Sequence, residues 1–248
     1  MASVQEVYES LKSIANKSSR GFITPLEFNT LAPIAQTKIY NRIFSEIGQA
    51  DTMRKRGVDA GRDRSTLKQL KEDASIFSKK DSTMTRGSSG HFAKPDDLGK
   101  IISIKTLGTV LMDESTSEPI DVIYDEEKLE YILSSPLSKP TDSRPIAFIS
   151  DEIMVFPKSV ARIDVRYYKL PESLEADTGN RSSNAPNYGY TTSGGKEIFS
   201  ASASYDFELP DHYTEDIVRE MAVMIGVSMR DANVYTFGVG QQPATKVK

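Results

Sequence analysis

The chain has 248 residues, enough for one large domain or two small ones burying roughly 70–75% of the unfolded surface. Hydrophobic residues make up 38% and charged residues 27%, a globular composition slightly on the polar side, and no apolar run approaches the ~18 residues of a membrane span. The absence of cysteine excludes disulfides, thiolate metal sites and cysteine nucleophiles, and a net charge of -4 argues against a dedicated nucleic-acid clamp, local patches aside.

The opening segment MASVQEVYESLKS has no basic region followed by an apolar stretch, so a soluble, cytosolically made chain with no membrane partner is expected. Val4, Val7, Tyr8, Leu11 and Ala15 line one face of a predicted amphipathic helix, with Ser3 as its N-cap. Asn16 to Gly21 is a polar break. Thr24-Pro25-Leu26-Glu27 then supplies an N-cap, a first-turn proline and a capping-box glutamate for a second helix. Its apolar face runs through Phe28, Leu31, Ala35, Ile39, Ile43 and Ile47 to a stop at Gly48. Pro33 should kink or restart it, because an interior proline removes one backbone hydrogen bond and clashes with the preceding turn. A basic stretch from Met53 to Arg64 follows, with Arg54, Lys55, Arg56, Arg62 and Arg64 set among small residues. It reads either as a solvated linker or as a contact for phosphate or an acidic partner. Leu67, Leu70, Ala74 and Phe77 mark a third helix.

From Asp81 to Lys94 the sequence is a Ser/Thr/Gly-rich connector, after which 100–105 and 108–112 read as strands and Asp125 to Leu133 as a short helix. Residues 146–149 and 152–156 form a predicted hairpin around Ser150-Asp151. Residues 161–168 alternate charged and apolar side chains, as a half-buried strand does. The span from Glu175 to Gly195 is Gly/Ser/Asn/Thr-rich and longer than an ordinary connection, which points to an interaction loop with Tyr188 and Tyr190 as its rigid contact residues. A strand over 197–208 and a helix ending at Gly226 complete the ordered chain, and the apolar positions of that helix include Ile217, Met221, Met224 and Ile225. The expected class is α+β in a single domain over 1–248. Residues 1–80 are mainly helical, 81–99 a connector, 100–174 mainly strands in an antiparallel sheet, 175–196 a long loop, 197–237 a strand plus C-terminal helix, and 238–248 a tail.

No catalytic, cofactor or metal constellation is readable. His91 and His212 lack acidic or histidine neighbours at ligand-like spacing, and Gly87-Ser88-Ser89-Gly90 lacks the G-x-S-x-G spacing of a nucleophile elbow. Asp96-Asp97, Asp113-Glu114 and Asp125-Glu126-Glu127 are adjacent carboxylates that project apart. Gly238-Val239-Gly240 lacks the third glycine and following helix of a phosphate cradle, and Met221, Met224 and Met229 read as core filling.

Three stretches carry a family resemblance: Gly21-Phe22-Ile23-Thr24-Pro25 through Gln36, Ile153-Met154-Val155-Phe156-Pro157 with Val160 to Pro171, and Phe207-Glu208-Leu209-Pro210 with Ile217-Val218, Gly226-Val227 and Met229-Arg230-Asp231. Together they resemble the ring or adaptor proteins at the portal-tail junction of crAss-like and related short-tailed bacteriophages. The resemblance implies a non-enzymatic virion protein with no cofactor, assembled as a dodecameric ring between the portal protein and other tail or ring proteins. Genomic DNA would pass through the lumen without sequence-specific binding. In that setting Tyr188, Tyr190, Arg54, Lys55, Arg56 and Arg62 are the expected interface residues. A head-completion stopper, another tail protein and a DNA-binding accessory protein stand as alternatives.

Overall fold

The computed structural model describes residues 1–17, 23–55, 63–107, 117–172, 184–194 and 196–229. The fold is α+β, and the chain gathers into two compact units. One is discontinuous, Met1–Ile76 with Pro171–Lys248, and the other is Phe77–Leu170.

The discontinuous unit holds α1 (Val4–Lys17), α2 (Pro25–Lys55), α3 (Asp63–Ser75) and α5 (Thr214–Met229), together with a two-stranded hairpin described below. Spacing of three and four residues puts Val4, Val7, Tyr8, Leu11 and Ala15 of α1 in the core, as expected. The α2 capping box forms as predicted. The Thr24 amide donates to Glu27 Oε2 at 3.0 Å and the Glu27 amide donates to Thr24 Oγ1 at 3.2 Å, satisfying two N-terminal donors at once.

Two expectations about α2 are corrected. The helix does not restart near Pro33 and does not stop at Gly48, but runs unbroken from Pro25 to Lys55. Burial of Phe28, Ala32, Ala35, Ile39, Tyr40, Ile43 and Phe44 along one face outweighs the one backbone bond that Pro33 cannot make. Likewise α5 continues through Gly226 to Met229, because Ile217, Val218, Met221, Ala222 and Ile225 hold it in the core. Gln36, fully buried in α2, donates through Nε2 to the Glu172 carbonyl (3.1 Å) and accepts from the Glu208 amide through Oε1 (2.8 Å). One side-chain amide thus satisfies two backbone groups from separate segments.

The second unit is a seven-stranded sheet in the order β1-β7-β3-β4-β5-β6-β2, built from β1 (Ser78–Thr85), β2 (Phe92–Ala93), β3 (Leu98–Thr106), β4 (Pro119–Ile123), β5 (Ile146–Ile149), β6 (Glu152–Phe156) and β7 (Arg162–Lys169). The sheet is mixed and not purely antiparallel. β4 and β5 pair in parallel, joined by a crossover through α4 (Glu126–Ser134), whose Leu129 packs on Ile123 and Ile146. The predicted β5–β6 hairpin is present in register, Ile146 opposite Phe156 and Ile149 opposite Ile153.

Much of the expected 81–99 connector is strand instead. β1 is polar in composition because it is an edge strand paired only with β7, and Met84 is its core contribution. The core collects Met84, Phe92, Ile104, Ile120, Ile153, Val155, Ile163, Val165 and Tyr167. Arg86 is anchored here by backbone carbonyls, with Nε donating to Val160 (2.9 Å) and Nη2 to Val155 (3.1 Å). Its guanidinium lies 5.0 Å from the Phe92 ring centre. The chain enters and leaves this unit through neighbouring strands, and the Lys169 amide donates to the Phe77 carbonyl at 2.8 Å.

Candidate interaction surface

The expected 175–196 loop is structured where it is described. Residues 184–189 lead into β8 (Tyr190–Ser193), which turns through Gly194 at a φ of 60° and pairs antiparallel with β9 (Lys196–Phe199). The strand predicted over 197–208 is correspondingly shorter. After β9 the chain makes a 3-10 turn at Ala201–Ala203, and Tyr205 then bridges Asn187 through two backbone bonds of 2.9 and 3.0 Å. Two serines explain the break in physical terms. The Ser204 hydroxyl donates to the Ser200 carbonyl (2.7 Å) and accepts from the Gly189 amide (2.9 Å), which draws the backbone into a local turn. Gly189 is required at this point, since a Cβ there would stand 2.5 Å from the Ala203 carbonyl atoms.

Of the two tyrosines expected at an interface, Tyr188 serves its own unit. It is only 6% exposed, and its ring lies 4.1 Å from Tyr8, 5.1 Å from Phe199 and 6.3 Å from Phe28, centre to centre. Its backbone is held at both groups. The amide donates to Asn29 Oδ1 (2.7 Å) and the carbonyl accepts from Asn29 Nδ2 (3.1 Å). Burial and the carboxylates of Glu9 and Glu197 push the Tyr188 phenol up, so it stays neutral. Tyr190 is different. It is 40% exposed, and Ile198 on the paired strand is 50% exposed. Among the described residues β8 and β9 pair only with each other, and each leaves an open backbone edge.

The basic stretch falls mostly beyond what is described. Arg54 and Lys55 occupy the last turn of α2, while Arg56 and Arg62 lie outside the described residues, as do 108–112 and the 238–248 tail.

Polar clusters with no local signature along the chain appear in both units. In the discontinuous unit Asp73 Oδ2 lies 3.1 Å from His212 Nε2 and accepts the Tyr213 hydroxyl at 3.1 Å, joining α3 to the 3-10 turn Asp211–Tyr213 that precedes α5. The two partners are 139 and 140 residues away, so no spacing rule could find them. Burial and the Asp73 carboxylate raise the Tyr213 phenol well above its ordinary range. Arg42 pairs with Asp216 at 2.6 Å and so ties α2 to α5. In the sheet unit Asp97 accepts from the Tyr167 hydroxyl (2.8 Å) and from Lys79 Nζ (2.7 Å). Each cluster links elements of its own unit, and among the described residues no group of three or more His, Asp or Glu side chains is placed to hold a metal ion. An open cleft of ≈ 490 Å³ lies beside β3, lined by Lys94, Leu98, Lys100, Tyr124 and Ile149.

No protein-family model matches the sequence, and no curated protein matches it.

Proposed function

We propose that the chain is a structural assembly protein that joins copies of itself and neighbouring proteins through extended surfaces, as a ring or adaptor component at the portal-tail junction of a bacteriophage virion. The three family-like stretches support the virion setting. The observation that carries the assembly reading is the β8–β9 hairpin. Two strands alone are marginal in water, yet this pair exposes Tyr190 and Ile198 and, among the described residues, leaves both edges open. Its base is fixed by Tyr188, Asn29 and Gly189. A firmly mounted hairpin with open edges can add strands to, or pack a tyrosine on, a neighbouring subunit at little ordering cost. In a closed ring each subunit presents such an arm to the next in a heterologous contact. Negative-stain electron microscopy of the purified chain tests this reading. Rings with a central hole support it, and uniformly monomeric particles overturn it.

A further inference from the structure

The outer face of the β1-β7-β3 strands concentrates positive charge in a chain whose net charge is -4. Residues directly opposite in an antiparallel pair share a face, and so do alternate residues of one strand. Ile163, Val165 and Tyr167 of β7 point into the core, so Arg162, Asp164, Arg166 and Tyr168 point outward. Opposite Arg166 stand Lys80 of β1 and Ser103 of β3. Opposite Asp164 stands Lys105, opposite Tyr168 stands Lys100, and opposite Arg162 stands Thr85. A bulge between Ile101 and Ser103 keeps Lys100 and Lys105 on this face despite their odd separation. Arg162, Arg166 and Lys80 are exposed.

Among the described residues of these strands five cations therefore share the face with one carboxylate, and Asp164, only 9% exposed, is itself 3.4 Å from Lys80. Ser78, Thr85, Ser103 and Tyr168 add hydroxyls to the face, and Ile102 at the β3 bulge is 45% exposed. A surface of guanidinium, ammonium and hydroxyl donors set at strand spacing, ~5 Å across the sheet and ~7 Å along it, matches a repeating phosphate backbone. We infer that this face binds the phosphate backbone of nucleic acid without reading its sequence. Four hydroxyls against a single exposed aliphatic side chain, Ile102, favour phosphate over a carboxylate-rich protein, because neutral donors serve phosphate oxygens where a protein partner would call for a wider apolar area. The inference does not depend on ring formation and concerns a different unit from the hairpin.

Fluorescence anisotropy of the full chain with a labelled DNA duplex of about 20 base pairs tests it. With about three phosphates neutralised, affinity should fall roughly 40-fold between 50 and 200 mM salt. The pair Arg162→Gln and Arg166→Gln, confirmed folded by its melting temperature, should weaken binding at least about tenfold and flatten the salt slope by roughly two phosphate contacts. Lys128→Gln with Lys139→Gln, both exposed and outside these strands, should leave binding unchanged. Three results would each overturn the inference: no binding at low salt, binding lost with Arg54→Gln and Lys55→Gln instead, or competition by poly-glutamate as effective as that by unlabelled DNA.

Discussion

Asn29 and Tyr188 lie 159 residues apart and exchange two hydrogen bonds, so the side-chain amide of α2 occupies the place of a neighbouring strand beside Tyr188. This pairing seats the aromatic ring between Tyr8 and Phe199 and fixes the base of the β8–β9 hairpin. Asn29→Ala strands a buried amide and a buried carbonyl, and should destabilise the discontinuous unit by about 2–4 kcal/mol. Urea unfolding checks it, and a loss below about 0.5 kcal/mol would remove Asn29 from this role.

The same base depends on Gly189. A methyl group there meets the Ala203 backbone, so Gly189→Ala should separate the two segments and speed amide exchange across 190–199 while leaving the sheet unit protected. Hydrogen exchange measured residue by residue distinguishes this from general destabilisation, which would raise exchange in both units.

Asp97 gives the sheet unit an acid dependence. Burial pushes its carboxyl up, but the hydrogen bonds from Lys79 and Tyr167 outweigh that and hold it below the ordinary value of 3.8. A carboxyl with a depressed folded value contributes stability that is present above the ordinary value and lost as pH falls through the folded one. Asp97→Asn should therefore flatten the acid limb of melting temperature against pH, with the difference from wild type shrinking toward low pH. An unchanged limb would show that Asp97 carries none of it.

Tyr8 sets the alkaline limit of the other unit. Burial raises its phenol from 10.0 to about 12, with Glu197 and Tyr188 adding to the effect, and the neutral hydroxyl donates to the Ile23 carbonyl at 3.0 Å. A raised folded value contributes stability fully present below pH 10 and lost as pH rises through about 12. Tyr8→Phe should weaken that decline while costing about 1 kcal/mol at neutral pH through the lost hydrogen bond. Stability against pH in both proteins measures the two effects together.

Local rules recovered what is local. The α1 face, the Thr24–Glu27 capping box, the β5–β6 hairpin and the alternation of β7 were all readable, because each is set by residues within a few positions of one another. The continuity of α2 past Pro33 and of α5 past Gly226 was not readable, because tertiary burial decides against the local signal. β1 escaped notice because an edge strand needs few apolar residues. The insertion of the sheet between Ile76 and Pro171 was hidden because its evidence is the pairing of Ser78 with Tyr168 across 90 residues. At the candidate surface, composition singled out both Tyr188 and Tyr190. Which of them is buried depends on Tyr8, Phe28 and Phe199, which lie far off or across a turn.

The central claim is that the exposed hairpin joins one copy of the chain to the next. Mass measurement of the purified protein in solution, wild type beside Tyr190→Ser with Ile198→Ser, tests it most directly. Both side chains are exposed, so the variant should keep the wild-type melting temperature to within a few degrees. The predicted result is a closed oligomer for wild type and a monomer for the variant. Wild-type and variant proteins of identical oligomeric mass, or a wild-type chain that stays monomeric at every concentration, would contradict the account.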